Sequence, residues 1–254
     1  MKIIITGASG FVGSNLSKYL EEKGHTVNKL SLRTPDFSLQ KDANAVIHLA
    51  GKAHDTANTS ADKEYFQINT ELTKKLFDDF LNSGIKDFIF FSSVKATADT
   101  LDGVLDENHV SNPQTPYGKS KFEAEKYLIS KNLPLGKRLF IIRPCMIHGP
   151  GNKGNLNLLY KVVEKGIPWP LANFENRRSF LSIDNLNYLV YKILNSDISS
   201  GIYNFADDKA ISTNELVKII ANTSGKREKL WRISANLISN MAKLGDKIKL
   251  PLNS

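Results

Sequence analysis

Two side chains near the middle of the chain have the types and the spacing that proton transfer requires. Tyr117 and Lys121 are four residues apart in a segment that predicts a helix, so they share one helical face. An ammonium group beside a phenol favours the phenolate and lowers the pKa of the tyrosine, which could then exchange a proton with a hydroxyl or a ketone near neutral pH. Ser93, just after a predicted strand, could hydrogen-bond the same oxygen. Taken alone, a Tyr–Lys pair at this spacing is more often an ordinary pair on a helix surface.

A glycine-rich turn near the start of the chain favours a catalytic role for the Tyr–Lys pair over an ordinary surface pair. Gly7, Gly10 and Gly13 follow the first predicted strand and open the first predicted helix. In this position glycines allow a tight turn, a close approach to a pyrophosphate, and packing of the helix on the strand. The alternative is a helix-initiating loop without a ligand. We expect the following residues to bind a dinucleotide: Gly7, Ser9, Gly10, Phe11, Val12 and Gly13.

The residues after the second predicted strand bear on the choice between NAD and NADP. An Asp or Glu for the ribose hydroxyls of NAD is expected there, but Ser31 and Arg33 occupy the region. A hydroxyl and a guanidinium suit a ribose phosphate, so NADP is slightly favoured as the cofactor, with Arg33 as its ligand. Two alternatives remain open: Arg33 as a solvated loop residue, and Asp36 as the missing acid.

The elements that must position these residues alternate along the chain. Continuous apolar runs predict strands, and 3.6-residue periodicity predicts helices between them. The predicted strands are 2–6, 26–32, 45–50, 88–91 and 139–142, and the predicted helices are 12–22, 68–81 and 116–130. This order is typical of an α/β fold, a Rossmann-type doubly wound parallel sheet. We expect a dinucleotide-binding domain over residues 1–150 and a smaller lobe over 151–254, where Gly, Asn and Pro become frequent.

Composition excludes several other classes of protein. The chain has 254 residues and a net charge of +8, of which +5 lies in residues 226–254, and no nucleic-acid-binding signature accompanies this charge. No apolar run approaches the roughly 18 residues of a membrane span, and a strand directly at the N-terminus leaves no room for a signal peptide. We therefore expect a cytoplasmic protein with no nucleic-acid partner and no stable membrane insertion. The single Cys145 and the histidine spacing predict no metal site.

With these motifs, the chain resembles the extended short-chain dehydrogenase/reductase family, in particular its NAD-dependent epimerase/dehydratase group. The segments that carry the resemblance are 6–13, 46–51, Asn69, 92–93, 117–121, 143–144, 177–184 and 203–205. The resemblance implies that Tyr117 is the acid/base, that Lys121 binds the nicotinamide ribose and lowers the tyrosine pKa, and that Ser93 orients the substrate oxygen. It implies that Tyr117 and Lys121 also contact the cofactor, together with these further ligands: Leu49, Ala50, Gly51, Lys52, Asn69, Pro144 and Met146.

The same resemblance implies a nucleotide-diphosphate sugar as the substrate. Its binding residues would be Ser93, Val94, Lys95, Asn155, Leu156 and Arg178. A guanidinium such as that of Arg178 suits phosphate oxygens. It also implies that the smaller lobe binds the nucleotide sugar and that a homodimer is possible. Because members of the family usually run some tens of residues further than Ser254, two alternatives are open: a truncated sequence and a naturally shortened one.

Three reactions are typical of this group. Dehydratases place an Asp–Glu pair directly after the active hydroxyl residue, whereas Ser93 is followed by Val94 and Lys95, so dehydration is disfavoured. Reduction of a 4-keto sugar is slightly favoured over 4-epimerisation with tightly bound NAD, because of Arg33. A non-catalytic regulator that senses NAD(P) is the third possibility, although Ser93, Tyr117 and Lys121 are all present.

Overall fold

The computed structural model describes residues 1–34, 37–52, 62–152 and 154–234. The strands are β1 (Lys2–Thr6), β2 (Thr26–Leu30), β3 (Ala45–His48), β4 (Asp87–Phe91), β5 (Arg138–Pro144), β6 (Met146–His148), β7 (Phe180–Ser182) and β8 (Gly201–Phe205). The helices are α1 (Phe11–Glu22), α2 (Asp62–Phe66), α3 (Leu72–Leu81), α4 (Pro116–Ser130), α5 (Asn155–Glu164), α6 (Ile183–Leu194) and α7 (Thr213–Thr223). A π-helical segment (Gln67–Glu71) joins α2 to α3, and a 3₁₀ turn (Val94–Ala96) follows β4.

Within the described ranges, six strands form one parallel sheet in the order β2-β1-β3-β4-β5-β8. The strand order reverses at β1, since β2 lies on one side of it and β3 on the other. Ligands of open α/β sheets bind beyond the carboxyl ends of the strands at such a reversal. The glycine-rich turn after β1 lies at this point. The predicted α/β fold with a doubly wound parallel sheet is confirmed.

Both faces of the sheet are buried, which explains the continuous apolar runs of its strands. On one face, Ile3 and Ile5 pack with residues of α1 and α6. On the other face, Ile4 and the β4 side chains Phe88 and Phe90 pack with residues of α3 and α4. As a result, α4, the helix that carries Tyr117 and Lys121, packs against β4 and β5. Ser93 follows the end of β4.

The helix predicted over 68–81 differs from the observed one. The helical path begins earlier, at Asp62, and includes a π-helical turn that holds Asn69 and Thr70 in buried positions. Such wide turns occur often at functional sites, because the extra residue redirects side chains. The periodicity of the sequence contains no signal for it, since an inserted residue only shifts the phase of the pattern.

The chain divides into two compact units, and the division differs from a single boundary at residue 150. The first unit comprises residues 1–147 and 181–206, and the second comprises 148–180 and 207–254. Residues 181–206 belong to the first unit because β8 adds to the sheet beside β5 and α6 covers α1. In the second unit, α5 and α7 pack through Val163, Val217 and Ile220.

Two features are absent from the described part of the chain. No helix there is long and apolar enough to cross a membrane. No group of three or more His, Cys, Asp or Glu side chains there could hold a metal ion.

Candidate active site

The first turn of α4 is fixed by a carboxylate from the loop after the 3₁₀ turn. The hydroxyl of Thr115 caps the helix by accepting from the Gly118 amide at 3.2 Å. The carboxylate of Asp99 accepts from the amides of Gln114 (2.8 Å) and Thr115 (3.2 Å) and from the Thr115 hydroxyl (3.0 Å). Burial raises the pKa of Asp99, but these hydrogen bonds and the ammonium of Lys95 outweigh that effect and lower it overall. The anchor defines where α4 begins and therefore where Tyr117 stands.

Ser93 approaches the same end of α4 through a close backbone contact. The Ser93 hydroxyl caps the 3₁₀ turn by accepting from the Lys95 amide at 3.2 Å, and its side chain also hydrogen-bonds the phenol of Tyr117. A Cβ atom on Gly118 would lie 2.3 Å from the carbonyl oxygen of Lys95, so only glycine lets the turn and the helix come this close. Gly118 therefore helps to bring Ser93 beside Tyr117. No spacing in the sequence predicts this role for Gly118, because the contact joins residues 23 positions apart.

The phenol of Tyr117 differs from the prediction in its ionisation. Burial raises the pKa of Tyr117, the hydrogen bond with the Ser93 side chain lowers it in part, and the nearby Tyr65 raises it further. The lowering by Lys121 that the sequence predicts is not among these influences. The protein alone thus favours the neutral phenol, which is the form that can donate a proton.

The side chain of Lys121, one helical turn after Tyr117, is almost fully buried. Its Nζ donates to the carbonyl oxygen of Phe91 at 2.8 Å and lies 4.9 Å from the ring centre of Phe90. Burial lowers the pKa of Lys121 to about 8, although the carboxylate of Glu125 opposes this by raising it. A lysine with this pKa can both donate and accept a proton near neutral pH.

Asn69, in the π-helical segment, joins the predicted cofactor loop to the catalytic helix. Its Oδ1 accepts from the Lys52 amide at 2.7 Å, and its Nδ2 donates to the Lys52 carbonyl at 3.1 Å and to the Ser120 hydroxyl at 3.0 Å. Ser120 in turn donates to the carbonyl of Tyr117 at 2.8 Å. A Cβ atom on Gly51 would lie 2.9 Å from Asn69 Oδ1 and 3.1 Å from Lys121 Nζ. Asn69 thus acts as a brace within the protein.

His48 continues this network beneath the loop. Its Nδ1 lies 2.7 Å from the Thr6 hydroxyl, and its Nε2 lies 2.8 Å from the Thr73 hydroxyl, which donates to the carbonyl of Asn69. The Thr6 hydroxyl also accepts from the Ala50 amide at 3.1 Å. These partners are all satisfied by a neutral imidazole that carries its proton on Nε2. The ring therefore ties the end of β1 to the π-helical segment.

The neutral His48 makes the protein sensitive to acid. Burial lowers the pKa of His48 to about 3, and the charge of Lys121 adds to the effect. The unfolded chain takes up a proton below about pH 6.5 while the folded protein does not, so stability is full above that pH and falls toward pH 3. Between pH 6.5 and 5 we expect a loss of about 2 kcal/mol from this residue. The free energy of unfolding of His48→Gln, measured with urea at each pH, should not show this decrease between pH 6.5 and 5.

The exposed His109 provides the matched control for this experiment. His109→Gln should keep the acid slope of the unmodified protein, because its side chain lies in solvent on a loop. Parallel stability curves for the unmodified protein and His48→Gln between pH 7 and 5 would show that His48 is not the acid-sensitive group.

The glycine-rich turn has the shape that a pyrophosphate requires. Gly7 has a φ of +69°, and a Cβ atom there would lie 2.6 Å from the Ala50 amide nitrogen. A Cβ atom on Gly13 would lie 2.3 Å from the Gly7 carbonyl oxygen, so α1 packs directly on the turn. The helix N-terminus at Gly10 has no side-chain cap in the structure, which leaves first-turn amides of α1 available to an anion. These residues fit a dinucleotide.

A cavity of about 270 Å³ lies in the first unit beside this turn. Its lining residues are Val12, Leu49, Gly51, Lys52, Phe91, Ser92, Ser93, Tyr117, Lys121, Pro144, Cys145 and Ile147. The structure thus brings the three predicted catalytic residues together with predicted cofactor ligands. Of the other predicted residues, Met146, Val94 and Lys95 do not line it, and Met146 is exposed. Phe91 and Ser92 were missed because they read as the end of a buried strand.

The remaining predicted cofactor ligands lie outside the cavity. Ser9 is exposed, and Phe11 packs against the core of the first unit. Arg33 is exposed at the end of β2, where its amide donates to the Ser31 hydroxyl at 3.3 Å. The alternative acid, Asp36, lies outside the described residues.

The predicted nucleotide-binding residues belong to the second unit. Leu156 is half-buried in α5, and the side chain of Asn155 lies outside the described part of the structure. Arg178 is exposed, and its backbone forms an antiparallel bridge with Ile211 through two hydrogen bonds of 3.0 Å. The bridge holds the backbone of Arg178 while its guanidinium extends into solvent.

Known proteins resemble this chain over most of its length. Residues 3–206 match the NAD dependent epimerase/dehydratase family. A UDP-glucose 4-epimerase of Vibrio cholerae is 34% identical over 86% of this chain and 74% of its own length. A GDP-6-deoxy-D-mannose reductase of Pseudomonas aeruginosa is 25% identical over 87% of this chain and 79% of its own. The chain therefore belongs to the NAD dependent epimerase/dehydratase family, and it is an enzyme of the extended short-chain dehydrogenase/reductase type.

Solved structures agree with this assignment at the level of the fold. The UDP-N-acetylglucosamine 4-epimerase of Bacillus cereus superposes with a TM-score of 0.78 at 22% identity, over 92% of this chain and 85% of that one. The chain thus shares its overall fold with that structure.

Proposed function

We propose that this enzyme reduces the 4-keto group of a nucleotide-diphosphate sugar, with NADPH as the reductant. The observation that carries the proposal is the cavity in which Ser93, Tyr117 and Lys121 meet beside the glycine-rich turn. A hydroxyl and a proton-donating phenol on one wall are the groups that a carbonyl oxygen needs when it becomes an alcohol.

The chemistry divides between the cofactor and the side chains. A bound nicotinamide cofactor supplies the hydride that reaches carbon 4. Tyr117 donates its proton to the oxygen on that carbon, and the Ser93 hydroxyl donates a hydrogen bond to the same oxygen. Lys121, with a pKa of about 8, can exchange a proton near neutral pH and so resupply the one that Tyr117 has lost. The raised pKa of Tyr117 keeps its phenol in the neutral form that can donate a proton.

The surroundings of Ser93 argue against dehydration. The residues of the 3₁₀ turn are Val94, Lys95 and Ala96, so the turn offers no pair of carboxyl groups to protonate a leaving hydroxyl and remove a carbon-bound proton. The carboxylate of Asp99 follows, but it is occupied by the amides of Gln114 and Thr115. Its lowered pKa makes it a poor acid.

A 4-epimerase is the second candidate, and one observation favours it. The Vibrio cholerae relative, which is 34% identical, is a UDP-glucose 4-epimerase. An epimerase would use the same three side chains for both halves of its reaction, first removing and then returning the hydride. It would retain its cofactor between turnovers, whereas a reductase must exchange it.

Cofactor exchange therefore distinguishes the two candidates. The purified protein should be denatured and the released nucleotide identified by mass spectrometry. A reductase should release little nucleotide and should consume NADPH in a 1:1 ratio with a nucleotide-linked 4-keto-6-deoxy sugar. Stoichiometric NAD in the released fraction, together with interconversion of UDP-glucose and UDP-galactose without net NADPH consumption, would replace the proposal with the epimerase.

Arg33 should set the preference for the phosphorylated cofactor. Arg33→Ala is expected to raise the KM for NADPH about tenfold and to leave the KM for NADH within about twofold. The reason is that only NADPH carries a phosphate on its adenosine ribose, which the guanidinium would bind. Steady-state kinetics with both cofactors measures this difference. Arg177→Ala, in the second unit, is the control for loss of one exposed arginine. Equal effects of Arg33→Ala on both cofactors would remove the argument for NADPH.

A further inference from the structure

A second tyrosine lies directly behind the phenol of the proposed reaction. Tyr65, in α2, is 94% buried, and its ring centre is 6.4 Å from that of Tyr117 with an interplanar angle of 68°. This is the edge-to-face arrangement that aromatic pairs prefer. Tyr65 does not itself line the cavity, so it can affect the site only through neighbours that do, such as Tyr117.

Tyr65 also contacts the loop after β3, through Lys52. The ammonium of Lys52 lies 5.8 Å from the centre of the Tyr65 ring and 2.9 Å from the carboxylate of Glu64, the preceding residue. Lys52 also lines the cavity, and its backbone is held by Asn69. Tyr65 thus bridges two parts of the cavity wall, the loop after β3 and the start of α4.

Resting on the proposed function, we infer that Tyr65 is a positioning residue that holds the phenol of Tyr117 in the cavity wall through its edge-to-face ring contact. Tyr117 occupies the first turn of α4, and the helix backbone leaves its side chain rotatable about two bonds. A fixed neighbour removes that freedom, so the hydroxyl remains where the substrate oxygen must bind.

The electrostatic environment of Tyr117 provides a separate readout of this contact. Tyr65 raises the pKa of Tyr117, in addition to the larger effect of burial, and the Ser93 hydroxyl opposes both. The titratable and charged groups around the phenol are Lys121 and Glu125 on α4, Lys95 and Asp99 from the turn after β4, Lys52 and Glu64 behind Tyr65, and Cys145 after β5. A change at Tyr65 leaves these groups in place, so a shift can be assigned to the second phenol.

Two substitutions separate the ring of Tyr65 from its hydroxyl. Tyr65→Phe keeps the ring contact and removes the hydroxyl, so the pKa of Tyr117 should fall, by about 0.5 unit, while kcat at its optimum changes less than about threefold. Tyr65→Leu removes the ring, so kcat should fall about tenfold, while the KM for the cofactor remains within about twofold. Tyr127→Phe is the control, because Tyr127 lies on the same helix and its hydroxyl binds the carboxylate of Asp78 at 2.8 Å.

The titration does not require turnover. In protein labelled with ¹³C at the tyrosine ring, the resonance of Tyr117 is assigned through its loss in Tyr117→Phe and followed against pH. A lower apparent pKa in Tyr65→Phe, with none in Tyr127→Phe, shows that the hydroxyl of Tyr65 acts on Tyr117 even if no keto sugar is reduced. In Tyr65→Leu the resonance of Tyr117 should shift, because the neighbouring ring is lost. An unchanged Tyr117 resonance or an unchanged kcat in a folded Tyr65→Leu would overturn the inference.

Discussion

Replacement of Tyr117 by phenylalanine should lower kcat for the keto sugar by about 10³-fold and leave the affinity for the cofactor within about twofold. The phenol is the proton donor in the cavity, and positioned acid–base groups commonly contribute 10²–10⁴-fold. Phenylalanine keeps the ring and its edge contact with Tyr65, so the helix start should be preserved. The cofactor contacts expected from the glycine-rich turn do not involve the lost hydroxyl.

Stopped-flow reduction under single-turnover conditions measures the chemical step, and quenching of protein fluorescence by NADPH measures cofactor binding. Tyr127→Phe removes a phenol from the same helix and should keep both values. Activity of Tyr117→Phe within tenfold of the unmodified enzyme would mean that another group supplies the proton. Cys145 would then be the first group to test, because its thiol lines the same cavity.

The helix that carries Tyr117 was predictable because its signals are local. Thr115 and Pro116 have the capping and first-turn preferences of a helix start, and the structure begins α4 at Pro116 and ends it at Ser130, as predicted. The glycine-rich turn was equally readable, since the spacing of Gly7, Gly10 and Gly13 reports backbone contacts within one loop. In both cases the sequence contains the whole physical cause.

The braces of the site depend on contacts between distant residues and could not be predicted in this way. Asn69 binds Lys52 and Ser120, which are 17 and 51 residues away. Tyr65 meets Tyr117 only because the parallel sheet brings α2 beside α4. No spacing rule connects such pairs, and the raised pKa of Tyr117 follows from this tertiary burial rather than from its helical neighbour Lys121.

The division into two units also depends on contacts between distant residues. The change in composition near residue 150 lies close to residue 147, where the first stretch of the first unit ends. It contains no information on the return of residues 181–206, which depends on β8 pairing with β5. An edge strand of five residues has little periodicity of its own, so its position in the sheet is determined by its pairing with β5.

The largest effect on stability is expected at a buried ion pair behind Lys121. The guanidinium of Arg143, at the end of β5, binds the carboxylate of Glu125 on α4 with N–O distances of 2.5 and 3.0 Å, and both side chains are at least 96% buried. Arg143→Met would leave a buried carboxylate without its partner, which costs about 3–5 kcal/mol. Urea unfolding at pH 7 should therefore show a loss of that size.

A second substitution tests whether the loss comes from the unpaired charge. Adding Glu125→Leu to Arg143→Met should recover most of the stability, because an apolar pair of similar volume is often as stable as a buried ion pair. Recovery of less than about 1 kcal/mol would indicate that packing, and not the orphaned carboxylate, causes the loss. Arg138→Met is the control for loss of a paired arginine elsewhere on β5, since Arg138 pairs with Asp87 at the opposite end of that strand.

The double variant also separates stability from chemistry. Glu125 raises the pKa of Lys121, so its removal should lower that pKa further below about 8 and move the Lys121-dependent limb of the kcat–pH profile to lower pH. Arg138→Met should leave the profile in place. If the refolded double variant kept its original profile, Glu125 would act only as a structural partner of Arg143. A shifted profile in a stable protein would instead show that the ion pair sets the charge on Lys121, and through it the proton supply to Tyr117.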